Sequence, residues 1–207
     1  MRLTAIRDTD GGRAVYVETD KGQRLVCDAE DFFSFGIGIG DSIDRETYEE
    51  LVKITKIELA RGFIMRRLDL REHSRKELER KLAAAGYDGE ISALALDRLC
   101  ERGIIDDRRF AESAARLYGE QKNYGKRRVM SELLRRGVDK ETAQSVLGDD
   151  GDSEEKALSF LKKTVGNKVY DEKMRRRASA AMIRAGYSWD DFRRAERELF
   201  DGQPFGE

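Results

Sequence analysis

The chain has 207 residues, 39% charged and 39% hydrophobic with a single proline, a balance that suits thin helical units with broad solvent-facing surface and argues against one thick core. The net charge of −1 hides an asymmetry, because residues 1–53 hold 7 basic and 12 acidic side chains and leave the remainder at +4, too modest a total to mark a nucleic-acid binder by itself. Nothing resembles the roughly 20 apolar residues of a membrane span or an apolar signal core, and Cys27 and Cys100 read as two reduced thiols of a cytoplasmic protein rather than as a disulfide framework.

Leu3 to Arg7, Arg13 to Glu18 and Arg24 to Ala29 are short β-rich runs, parted by Asp10-Gly11-Gly12 and Asp20-Lys21-Gly22, turn sequences that supply positive φ. They predict a three-stranded antiparallel meander. Asp28 to Phe35 reads as a short helix or turn bringing Phe32, Phe33 and Phe35 onto the sheet, and Ile37 and Ile39 in the following glycine run are expected to pack there too. That run, Gly36-Ile37-Gly38-Ile39-Gly40, has no Lys-Ser or Lys-Thr behind it, so it is a tight connection and not a phosphate loop. Asp44 then caps an acidic-fronted helix that runs on or hands over near Lys53.

Ile57, Ala60, Phe63, Ile64 and Leu68 make the stripe of a one-faced helix. Ser74 with Glu77 forms a capping box opening a helix over Arg75 to Ala85; Glu90 to Arg102 follows, with Ile91, Leu94, Ala95 and Leu99 inward. After the Gly103 stop, Asp106-Asp107 opens a second unit whose apolar face is Phe110, Ala114, Leu117 and Tyr118. Its later helices are Lys126 to Arg136 and Lys140 to Leu147. The acidic, Gly-bearing stretch Gly148 to Asp152 reads as a linker with hinge character. Ser153 caps a third unit, with Ala157, Leu158, Leu161 and Val165 inward, then helices over Asp171 to Ala185 and Trp189 to Phe200 and a tail, Asp201 to Glu207, expected to fray.

Superposed on their helix-ending glycines, Gly86, Gly137 and Gly186, three segments agree column by column: SRKELERKLAAAG, GKRRVMSELLRRG and MRRRASAAMIRAG. Leu78, Val129 and Ala178 share one apolar column, and Leu82, Leu133 and Met182 the next. A period of roughly 50 residues marks units that bury their faces by stacking. The expected fold is mainly α, a tandem array of three three-helix, helix-turn-helix-like repeats, elongated and curved, behind a small N-terminal antiparallel β domain. The domains are 1–53, 54–105, 106–150 and 151–207.

No pairing of nucleophile with base appears, and His73, the one histidine, sits in a polar connector and reads as solvent-facing or structural; Asp106-Asp107 reads as a cap, not a metal site. No enzyme, cofactor or metal is expected. The basic cluster opening each middle helix is different, because cations in a first turn oppose the helix dipole by roughly 0.3–1 kcal/mol each. Arg75 and Lys76, then Lys126, Arg127 and Arg128 with Arg135 further along, then Arg175, Arg176 and Arg177 are therefore the candidate contacts to phosphate or carboxylate on a partner or DNA. A solvated face paired with nearby Glu and Asp is the bland reading of the same residues. The three-helix units are also similar to helix-turn-helix DNA binders, which gives the alternative of a direct DNA-binding regulator. Against it, the third helices begin acidic, at Glu90, at Asp139 with Glu141, and at Asp190 with Asp191.

Arg71, Ser74, Glu77, Leu78, Leu82 and Gly86, then Leu99 to Gly103, Ile105-Asp106-Asp107, Phe110-Ala111, Gly125, Glu132-Leu133 and Gly137, in that order, resemble the RecX regulators of the RecA recombinase over about residues 57–147. The third unit departs, with Met174 where the first two have Ser or Gly. The resemblance implies a monomeric, cytoplasmic, non-catalytic protein that binds the RecA filament on single-stranded DNA. It further implies inhibition of the filament's ATPase, strand-exchange and co-protease activities in recombination, DNA repair and the SOS response. It assigns no role to residues 1–50.

Overall fold

The computed structural model describes residues 1–9, 11–148 and 154–200. The expected linker, apart from Gly148, the Ser153 cap and the C-terminal tail lie outside the described residues. The chain divides into two compact units, Met1–Ile105 and Asp106–Glu207.

In the first unit, β1 (Leu3–Asp8), β2 (Ala14–Thr19) and β3 (Arg24–Asp28) form an antiparallel sheet in the order β1-β2-β3. Alternation sends Val15, Val17, Leu25 and Cys27 inward, and the register pairs Val15 with Cys27 and Val17 with Leu25, as a half-buried strand requires. Helix α1 (Ala29–Phe33) is capped by the Asp28 carboxylate, which accepts from the Glu30 backbone N–H. It buries Phe32, whereas Phe33, expected on the sheet, is 58% exposed. Of the glycine-run isoleucines, Ile37 packs on this core and Ile39 does not. A five-residue helix turns too few side chains toward one side for all three phenylalanines to reach the sheet.

Helix α2 (Arg45–Leu68) is continuous, capped by Asp44 through the Thr47 N–H. Its two halves serve different cores: Leu51 and Ile54 join the sheet cluster, while Ile57, Ala60 and Ile64 join α3 (Arg75–Ala84) and α4 (Gly89–Glu101) around Leu78, Leu82, Leu96 and Leu99. Ser74 Oγ accepts from the Glu77 N–H, the first arm of the expected capping box. The Glu77 carboxylate takes Arg71 at 2.9 Å and His73 Nδ1 at 3.0 Å. His73 is thus not solvent-facing; it is 5% exposed, and burial lowers its pKa.

The second unit contains two three-helix cores. Helix α5 (Asp107–Arg116), a π-helical turn over Leu117–Gln121, α6 (Lys126–Arg136) and α7 (Lys140–Leu147) enclose Phe110, Ala111, Tyr118, Val129, Leu133 and Ala143. The π-helical turn shifts the stripe, so Tyr118 is buried and Leu117 is not. Helix α8 (Glu154–Val165), α9 (Glu172–Ala185) and α10 (Trp189–Phe200) enclose Leu161, Ala178, Met182, Tyr187 and Phe192. Gly86, Gly137 and Gly186 all have positive φ, +83, +90 and +96°, the conformation that ends a helix without a Cβ penalty. The two apolar columns aligned on them are buried in all three copies.

Backbone and side-chain contacts around Gly125 and Gly186 tie the two cores of this unit together. The Gly125 N–H donates to the Ala185 carbonyl at 2.8 Å, and the Tyr187 hydroxyl donates to the Asn123 carbonyl at 3.0 Å. Gly125 stands in the column that holds the Ser74 cap in the first copy, and it makes no side-chain cap. A Cβ there would lie 2.5 Å from the Gly186 carbonyl carbon, and one on Gly186 would lie 2.4 Å from the Arg128 nitrogen. Two glycines are needed because two backbones touch.

Candidate partner-binding surface

The repeated basic cluster separates into columns with different work to do. In the first column, each cation reaches the third helix of its own module or that helix's end. Arg75 Nη1 lies 2.7 Å from Asp97 on α4, and the Lys126 ammonium donates to the Gly148 carbonyl behind α7. Arg175 forks onto Glu196 of α10 at 2.8 and 3.2 Å. Glu196 is buried and also accepts from the Tyr170 hydroxyl, so its charge is compensated on two sides. These contacts set the angle between second and third helices, and the apparent conflict with the helix dipole is resolved by partners distant in sequence.

The second column points outward. Among the described residues, Lys76 pairs only along its own helix, with Glu79 at 2.7 Å, and Arg176 likewise with Glu172 at 3.0 Å. Both pairs are exposed, where such contacts contribute about 0–1 kcal/mol. Arg127 is exposed and makes no ion pair among the described residues. In the third column Glu77 replaces a cation in the first copy. Arg128 in the second lies over the Tyr124 ring, 5.4 Å from its centre, and 3.4 Å from Glu132. Arg135 also engages Glu132 at 2.7 Å, and that hydrogen bond holds the Glu132 carboxyl below its ordinary value. The second copy therefore carries its own counter-charge.

In the third copy, Arg176 and Arg177 share a hollow of about 340 Å³ with two cations outside the candidate set, Lys168 and Arg184. Arg184 was legible in the sequence, since it occupies the column of Arg135. Lys168 was not, because the loop between α8 and α9 has no counterpart in the repeat pattern.

Residues 60–99 match the family model for the RecX first three-helix domain, and residues 106–147 the model for the RecX second three-helix domain. A Regulatory protein RecX of Stenotrophomonas maltophilia (strain R551-3) is 37% identical over 145 residues, covering 69% of this chain and 86% of that protein. The chain belongs to the RecX family. A Regulatory protein RecX of Mycobacterium sp. (strain JLS) is 35% identical over 139 residues, covering 63% of this chain and 76% of the relative. A crystal structure of a regulatory protein RecX shares the fold, with a TM-score of 0.78 at 14% identity over 94% of this chain and 98% of that one. This RecX-family chain is accordingly a regulatory protein, mainly helical with a small N-terminal antiparallel sheet. Among the described residues, no helix is long and apolar enough to cross a membrane.

Proposed function

We propose that this protein acts in the cytoplasm as a monomer on the RecA filament assembled on single-stranded DNA, lowering its ATPase, strand-exchange and co-protease activities without chemistry of its own. The observation that carries the reading is the family membership, which spans both matched three-helix domains. The modules 54–105, 106–150 and 151–207 present the contacts. The exposed cations Lys76, Arg127, Arg128, Arg135, Arg176 and Arg177 face the filament or its DNA, while Arg75, Lys126 and Arg175 hold the helices that display them.

Reversing charge in Arg127→Glu/Arg128→Glu is expected to weaken inhibition of the recombinase ATPase on single-stranded DNA while circular dichroism stays unchanged. Undiminished inhibition would remove this cluster from the interface. The carboxylates that open α4, α7 and α10 argue against major-groove reading by those helices, since Asp88 and Asp139 serve as caps and Asp191 holds Ser188 and Arg194. Anions at the leading end of a recognition helix would meet the phosphate backbone with repulsion.

A further inference from the structure

The free edge of β3 presents backbone groups that the first unit leaves without partners among the described residues. The Thr19 N–H donates to the Gln23 carbonyl and the Ala29 N–H to the Arg13 carbonyl, and the register between them pairs Val17 with Leu25 and Val15 with Cys27. Antiparallel pairs alternate between bonded and unbonded, so Leu25 and Cys27 aim N–H and C=O at β2 while Arg24 and Val26 aim theirs away from it. Asp28 ends this stretch by capping α1. On the far edge of the sheet the start of β1 is covered, with the Leu3 N–H on the Asp41 carbonyl and the Gly40 N–H on the Leu3 carbonyl. A hollow of about 380 Å³ lies beside the free edge, lined by Arg24 and Val26, by Arg7 and Tyr16 on the other strands, and by Thr55 and Leu59 of α2. Tyr16 and Leu59 are each 53% exposed. Arg7 is exposed and makes no ion pair among the described residues, and Arg24, 3.2 Å from Glu18, keeps 82% of its side chain exposed. These cations stand in a stretch that is otherwise acidic.

We infer that this edge is a docking site for an extended segment of a second protein, one in which acidic residues alternate with apolar ones, added to the sheet as a fourth strand beside β3. Unpaired edge groups are a template for such addition, in which main-chain hydrogen bonds supply affinity and alternate side chains supply specificity. The N–H and C=O of Arg24 and Val26 take the incoming main chain. Because side chains alternate across a strand, every second incoming residue lies on the outer face, in line with Arg24 and Val26, where the cations attract carboxylates. The residues between them turn toward α2 and pack on Leu59. A second copy of this chain is the poorer occupant, since two-fold pairing of β3 with itself sets one positive hollow against another. The site lies outside both matched family domains and does not depend on the filament reading.

The test is fluorescence anisotropy of the full chain with a short labelled peptide of alternating valine and glutamate, beside one of alternating valine and lysine. The wild type is expected to bind the glutamate peptide and to discriminate against the lysine one. Hydrogen exchange at the Arg24 and Val26 amides should slow when the glutamate peptide is added. Val26→Pro removes an N–H that the β2–β3 ladder does not use and sets a ring on the free edge, where proline is tolerated, so it should abolish binding. Leu59→Glu, at an exposed position of α2, should weaken binding too and serves if the proline variant melts below the wild type. Arg7→Gln/Arg24→Gln removes both cations and should weaken binding roughly tenfold. The inference is overturned if the wild type fails to bind the glutamate peptide, binds the lysine peptide equally well, or binds without slowing exchange at Arg24 and Val26. Undiminished binding by a folded Val26→Pro chain would overturn it as well. A wild-type dimer in light scattering that Val26→Pro dissolves would give the edge to a second copy and overturn the choice of occupant.

Discussion

Replacing Gly125 by alanine should destabilise the 106–207 unit, for a reason confined to one atom. Gly125 has φ −69°, a conformation open to any residue, so its backbone gives alanine no penalty. In open space the change would stabilise by about 0.4–1 kcal/mol through the unfolded chain. The added Cβ instead meets backbone, 2.5 Å from the Gly186 carbonyl carbon and 2.6 Å from both the Gly186 oxygen and the Tyr187 nitrogen, and none of these can rotate away. Overpacking of this sort costs about 1–3 kcal/mol, so the net effect is roughly 1–2 kcal/mol of destabilisation. For a unit of this size that is roughly a 5–15 °C fall in its melting temperature. The readout is far-UV circular dichroism on heating and in urea, with Gly119→Ala as the control, since a Cβ at Gly119 meets nothing within 4 Å. If Gly125→Ala melts at or above the wild type, the two modules do not touch through this glycine pair and the account of Gly125 fails.

Three further outcomes follow from the site. Glu196→Ala strips Arg175 and Tyr170 of a shared buried acceptor and should cost about 1.5–3 kcal/mol in urea unfolding, whereas Glu172→Ala, which removes only the exposed partner of Arg176, should cost no more than about 1 kcal/mol. Burial pushes the Cys27 thiol up to about 11, so an alkylating reagent at neutral pH should modify Cys27 only in denaturant; rapid native labelling, read by peptide mass, would contradict its burial. Acid should act in two stages. Glu132 is held below 4.5 by the Arg135 hydrogen bond and Asp139 below 3.8 by the Thr142 N–H, so their stabilisation is whole above those values and is lost as pH falls through the lower folded ones. His73, lowered from 6.5 by burial, is whole above 6.5 and declines as pH falls below it. Melting temperature against pH should therefore slope from about pH 6.5 downward in the wild type, and His73→Gln should flatten that upper part alone.

The elements were legible in the sequence because their signals are local. Asp44, Ser74, Asp106 and Asp139 each cap the helix they precede, and a cap needs only residues three apart to find one another. The strands came from turns that supply positive φ, the repeat from glycines that must stop a helix left-handed. What failed was of another kind: Phe33, in a five-residue helix, and Ile39, in the glycine run behind it, have no periodicity to say which side is in, and of the two readings of His73 only the packed neighbours select the structural one.

The candidate surface divides along the same line. Sequence alone determined that three repeated segments each open a helix with cations, because spacing and composition carry that much. Which cations hold the fold and which are offered outward was decided only by tertiary structure. Arg175 and Glu196 are 21 residues apart along the chain and Gly125 and Gly186 further still, and no local preference can report a partner that arrives only when the chain has folded back on itself.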